Sequence, residues 1–261
     1  MVRWSCECPR VRWSSEVANG PSHRRTGPSH GRTGPSPRRT GPSPRRSVAP
    51  SHRTLITVLS TVLLVNLASL SAQDPPRLQP LDSGKVPYYI GEAEAGSDSQ
   101  PGDRDLARWA LQVWERTIGG TLRFEPAATE RDALLRIYFV PAAAGQYGEM
   151  RSIALDGRRG AAVFIRPDVS ALGPDIARAA RADPLMRETI VYLTCLHELG
   201  HAVGLSHTSD FADIMYFFGY GGDIVGFFDR YRRQLRTRED IQKTAGLSAA
   251  DARRVRELYA K

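Results

Sequence analysis

Between residues 197 and 207 the chain reads HELGHAVGLSH, three imidazoles and one carboxylate at spacings that suit a metal ion. On a helix His197 and His201 stand one turn apart on the same face, so both rings reach one ion, and Glu198 beside them reaches a water there. Gly204 lets the chain leave the helix through a conformation closed to most residues with a side chain, and that turn returns His207 as a third ligand. Three neutral imidazoles suit zinc and leave a fourth tetrahedral position open for water or substrate, as in a catalytic site. A closed structural site wants four protein ligands, usually with thiolates. The nearest thiol, Cys195, lies about 200° around a helix from His197 and reads as a small buried apolar residue. The six histidines are 23, 30, 52, 197, 201 and 207, so beyond residue 72 every one belongs to the motif.

Elements must hold these groups in place. From Asp103 to Ile118, apolar residues at Leu106, Trp109, Ala110, Val113, Trp114 and Ile118 give helical spacing with one buried stripe, stopped by Gly119-Gly120. Strands are expected at Val86–Ile90, Leu122–Phe124, Leu134–Val140 and Ala161–Arg166, the last set off by the turn signal Asp156-Gly157. Ser248 and Asp251 form a capping pair that opens a last helix ending near Leu258-Tyr259. Over Ile224–Leu235, Ile224, Phe227, Phe228, Tyr231 and Leu235 share one helical face, with arginines crowded elsewhere. That segment reads as a helix packed on the lower lobe, with a membrane- or acid-binding basic helix as the alternative.

Six residues past His207 begins Asp213-Ile214-Met215-Tyr216, and here the chain resembles the metzincin clan of zinc endopeptidases, in which HExxHxxGxxH precedes a methionine-bearing turn. The resemblance makes Met215 the floor beneath the histidines. The WALQVW run at Trp109–Trp114, the TLRF run at Thr121–Phe124 and the tail from Leu247 to Asp251 are similar to the matrixin branch. The resemblance covers about residues 86–261 and implies an α+β fold: a twisted mixed sheet with an active-site helix, a Met-turn and a C-terminal helix. It further implies a zinc-dependent endopeptidase with Glu198 as general base and substrate paired along the sheet edge, for which Ala161–Arg166 is the expected strand. Tyr216, Phe217, Phe218 and Tyr220 are expected to wall the pocket just past the scissile bond, which would take an apolar side chain.

Departures bear on that pocket, since Thr208 follows the third histidine where matrixins commonly have Ser, and Phe217 follows Tyr216 where they usually have Pro. Phe217 also counts against astacin-like relatives, which place a metal-binding tyrosine there. With no histidine to spare, a second structural zinc is not expected. Calcium is open on this reading, with no residue pattern to support it. Cys6 and Cys8 lie too early and lack the context for a zinc-blocking propeptide cysteine.

Composition divides the 261 residues unevenly. Residues 1–54 form a basic, low-complexity leader with four sevenfold repeats over Gly20–Ser47, expected to be disordered. A true start near Val48 would explain its unusual length. Through Ala72 the chain holds 11 arginines against two acids, which leaves 25 basic and 26 acidic residues of the full 36 and 28. The high pI therefore belongs to the leader and gives the folded part no case for nucleic acid. Residues 55–72, with Arg53 ahead of a short apolar run and small residues up to Ala72, read as a signal peptide, with an uncleaved anchor as runner-up. Residues 73–85 read as a flexible lead-in and 86–261 as the catalytic domain.

The expected molecule is a secreted or periplasmic monomer acting on protein or peptide substrates, membrane-bound only if residues 55–72 stay uncleaved. A zinc amidase acting on cell-wall peptides and an inactive zinc-holding module are the alternatives. Glu198 speaks against the last, because holding a metal does not require that carboxylate.

Overall fold

The computed structural model describes residues 77–142 and 147–260. Residues 1–72, on which the leader and signal expectations rest, lie outside that range. Among the described residues no helix is long and apolar enough to cross a membrane.

Strand β1 (Lys85–Ile90) is followed by helix α1 (Asp103–Ile118), then β2 (Arg123–Pro126), β3 (Leu135–Phe139), β4 (Gly148–Leu155) and β5 (Arg158–Ile165). Helices α2 (Pro174–Ala182), α3 (Pro184–Ala202), α4 (Ile224–Arg232), the short α5 (Asp240–Lys243) and α6 (Ala249–Tyr259) complete the chain. The strands form one sheet in the order β2-β1-β3-β5-β4. All neighbours are parallel except β4, which runs antiparallel to β5. This is the mixed α+β architecture the sequence implies.

One expectation is overturned. Ala161–Arg166 is not the sheet edge: β5 lies between β3 and β4, and β4 is the outer strand. Asp156 and Gly157, with φ of 49° and 75°, make the two-residue turn that folds β4 back onto β5. Positive φ at both central residues matches the twist of a tight hairpin. The physical reason for the order lies in the side chains. Ala161, Ala162, Val163 and Ile165 are all buried, the continuous apolar run of an interior strand. Its partner carries Glu149 and exposed Arg151, charges that an outer strand tolerates.

Helix α1 has the predicted bounds, and Gly119 in the left-handed region closes it by donating its N–H to the Arg116 carbonyl at 3.3 Å. Its buried stripe packs against α3, and the Trp114 indole N–H donates to the Leu196 carbonyl at 3.0 Å, one residue before the motif. The Arg187 guanidinium on α3 grips the Asp103 carboxylate through both nitrogens and donates to the Asp98 carbonyl at 2.9 Å. Breaking such a buried pair from one side costs several kcal/mol, on the order of 3–5.

Helix α4 is shorter than Ile224–Leu235, and its apolar face is covered. Phe227, Phe228 and Tyr231 are buried, and the Tyr231 ring stacks on Tyr192 of α3 at 5.5 Å. Arg232 pairs with Asp183 at 2.7 Å and Arg233 with Asp229, while Arg230 donates to the Phe211 and Ala212 carbonyls. The packed-helix reading therefore holds. The lead-in is also tied down from residue 77 onward: Leu78 is buried, its N–H reaches the Ala202 carbonyl at 3.1 Å, and the Gln79 N–H reaches Arg159 at 2.9 Å.

Candidate metal centre

Asp183 starts α3 by accepting from the Leu185 N–H at 3.0 Å, and Pro184 occupies the first helical position, where its missing N–H costs nothing. All but four of the helix's 19 residues are buried. A helix enclosed this way presents its C-terminal side chains from a rigid support. The helix ends where the sequence places the turn: Gly204 has φ of 102°, and a Cβ there would sit 2.7 Å from the Cβ of Arg77. Both the backbone and the neighbour require glycine.

Beyond that turn His207 comes back to the other two rings. Its Nε2 lies 3.3 Å from Nε2 of His197 and 3.1 Å from Nε2 of His201. The two helical rings are oriented from behind. Nδ1 of His197 donates to the Ile214 carbonyl at 2.7 Å, and Nδ1 of His201 to the Leu205 carbonyl at 2.8 Å. With Nδ1 protonated, each Nε2 carries its lone pair toward the shared centre. A proton on His207 satisfies only one of the two lone pairs it meets, whereas a divalent cation satisfies all three. The spacings also fit: tetrahedral ligands about 2.0 Å from zinc are about 3.3 Å apart. Burial holds the three imidazoles neutral, pushing each down to about 3, with mutual repulsion adding to the effect. The donor set is thus ready for a metal without first losing protons.

The turn around Met215 packs against the same helix. Met215 is fully buried, and a Cβ on Gly200 of α3 would lie 2.4 Å from its sulfur. The backbone of the turn is fixed by the Thr208 N–H donating to the Met215 carbonyl at 2.8 Å and the Phe217 N–H to the Thr208 carbonyl at 3.0 Å. A longer tether runs to α6. The buried Asp251 accepts from the Ser248 N–H at 3.0 Å, completing the predicted capping box, and from the Ile214 N–H at 2.8 Å. Ile214 is the residue whose carbonyl orients His197, so the last helix reaches the site through one residue.

Glu198 is buried beside the histidines, and desolvation raises its carboxyl to about 8 against the pull of Arg166. The Arg166 guanidinium is itself buried and donates to Glu149 at 3.1 Å. Glu198 fits where it does because β4 opens with Gly148: a Cβ there would come within 2.4 Å of the Glu198 Oε1. Cys195 is buried, and burial pushes its thiol pKa well up, an inert group apart from the site.

The four residues expected to wall a pocket form one aromatic cluster, with Tyr216 against Phe218 at 5.2 Å and Phe217 against Tyr220 at 5.3 Å, but they meet the site differently. Phe218 lines a hollow that also touches His197 and Glu198. Phe217 instead covers His207, ring to ring at 4.9 Å. Tyr216 is buried with its hydroxyl donating to the Gly221 carbonyl at 2.9 Å, and Tyr220 is 66% exposed. The remaining walls are Leu193, Thr194, Ile214, Phe227 and Phe228, which sequence reasoning did not place here. The aromatic pair was visible as a helical face; what that face packs against was not. Gly148 left no signal, because its contribution is a missing side chain.

The family model described as matrixin matches residues 82–222, a span that holds the three histidines, Glu198 and Met215. Among curated proteins none matches the chain.

Proposed function

Since this chain belongs to the matrixin family of zinc-dependent peptidases, we propose that it is an exported endopeptidase in which Glu198 serves as general base and then general acid. The observation that carries the reading is the convergence of three Nε2 atoms on one point with a buried carboxylate from the same helix beside it.

His197, His201 and His207 would hold the zinc through Nε2. A zinc ion there supplies Lewis-acid chemistry, polarising a peptide carbonyl and lowering the pKa of water. Glu198 takes a proton from the attacking water and passes it to the leaving amine. Its burial suits both transfers, because a desolvated carboxylate binds a proton firmly and holds it away from bulk solvent. Among the described residues strand β4 pairs with β5 alone, which supports an extended peptide laid along its outer side. It takes the role the sequence assigned to Ala161–Arg166. Residues 55–72 direct export, giving a secreted or periplasmic monomer after cleavage and an anchored form if it fails.

Casein digested by the zinc-loaded full chain tests the activity. Hydrolysis is expected to stop with a chelator and return with zinc, and Glu198→Ala is expected to keep the metal while turnover falls by orders of magnitude. Unchanged hydrolysis in Glu198→Ala removes the proposed base.

A further inference from the structure

Two cavities share part of their lining, and one of them reaches the metal centre. The one touching His197 and Glu198 has a volume of only about 10 Å³, room for roughly one water-sized group. The adjoining one measures about 260 Å³ and is edged by Arg230, Gln234 and Ser248. Leu193, Ile214 and Phe227 line both. Phe227 is the bulkiest of the three shared residues, and its ring is locked between two others: edge to face on Phe218 at 4.8 Å and on Phe228 at 5.3 Å. Phe227 and Phe228 are buried, and rings packed at core density do not yield room without strain.

Position relative to the chemistry gives the plug its meaning. Glu198 forms one wall of the small hollow and, on the proposed mechanism, hands a proton to the leaving nitrogen. The residue that carries that nitrogen then sits against Glu198, and the hollow is the space beside Glu198 that its side chain would enter. We propose that Phe218, Phe227 and Phe228 make this enzyme selective for glycine or alanine on the leaving side of the scissile bond, and that Phe227 closes the adjoining cavity to substrate. The inference rests on the peptidase reading and narrows the apolar preference expected from sequence. Larger side chains are refused because the space beside Glu198 is already filled by the protein's own rings.

The test is a digest of a mixed peptide library by the zinc-loaded full chain, with cut sites read by mass spectrometry. Cleavage before Gly and Ala is expected to exceed cleavage before Leu and Phe by ~10-fold or more, the discrimination of a pocket short of a few methylenes. Phe218→Ala, a change at a half-buried ring, is expected to admit Leu and Met. Phe227→Leu, milder than removal of the whole ring, is expected to join the cavities and admit longer side chains such as Met and Gln. A wild-type preference for Leu, Phe or Met, or a profile unmoved by both substitutions, overturns the proposal while leaving the peptidase intact. A library left wholly uncut overturns the peptidase reading and the selectivity with it.

Discussion

Gly148→Ala is expected to silence the enzyme without unfolding it or emptying its metal site. The added Cβ would stand 2.4 Å from Oε1, 2.7 Å from Cγ and 2.8 Å from Cδ of Glu198. Carbon atoms in ordinary contact keep about 3.5–4.0 Å, so the Glu198 side chain must retreat by about 1 Å. Gly148 does not have a positive φ, so alanine is accommodated by the strand, and the strain falls on the end of one side chain. A misplacement of that size in a reacting group costs on the order of 10²-fold in rate. The histidines take no part in the clash. Kinetics on a fluorogenic peptide should therefore show kcat/KM reduced ~100-fold, while zinc content stays at one ion per chain and the melting temperature moves by a few degrees at most. Activity within a few-fold of wild type would refute the reasoning, and so would a loss of zinc in step with the loss of rate.

Three further outcomes follow from the same geometry. In metal-stripped protein the histidines, down from 6.5 to about 3, bind protons in the unfolded chain first, so stability falls as pH drops below 6.5. Glu198, up from 4.5 to about 8, holds a proton in the folded state that the unfolded chain gives up, so its contribution is lost as pH rises through 8. Melting temperature should peak near pH ~7 and decline toward alkaline pH unless Glu198 is changed to Gln; a flat wild-type curve above neutrality contradicts this. Gly204→Ala forces φ of 102° on a side-chain-bearing residue and a 2.7 Å approach to Arg77. It should destabilise by ~1–3 kcal/mol and weaken zinc binding by displacing His207; unchanged affinity in a chelator competition argues against His207 as a ligand. Asp251→Ala removes the acceptor for two N–H groups. Denaturant unfolding should show a loss of ~1–3 kcal/mol, with zinc held less tightly through Ile214 and His197; an unchanged midpoint dismisses the tether.

What could be read from the sequence was local. His197 and His201 announce themselves by a four-residue spacing that fixes their relation on any helix. Gly204 follows from the sharp exit such a third ligand needs, and Ser248 with Asp251 caps α6 as its spacing says. Helix α1 was legible to the residue because its apolar stripe and its glycine stop agree. Neighbour relations were not legible. β4 was not among the expected strands, and the resemblance alone made Ala161–Arg166 the edge although its unbroken apolar run suits an interior strand; the Asp156-Gly157 hairpin puts β4 outside it. Phe227 and Phe228 declared a buried face without naming what they bury against, and only the folded chain shows them lining one hollow with Glu198.

The tether from α6 also bears on where the enzyme can be cut. The matched family span stops at residue 222, and a fragment trimmed there would retain every ligand, the acid and the methionine. It would lack the carboxylate that grips Ile214, along with Phe227 and Phe228. Such a piece would carry the whole recognisable motif and still lose the bond from α6 to the residue whose carbonyl orients His197. A fragment carried on through α6 keeps that carboxylate, and with it Tyr259, whose hydroxyl donates to the Val203 carbonyl at 3.1 Å beside the turn that delivers the third ring.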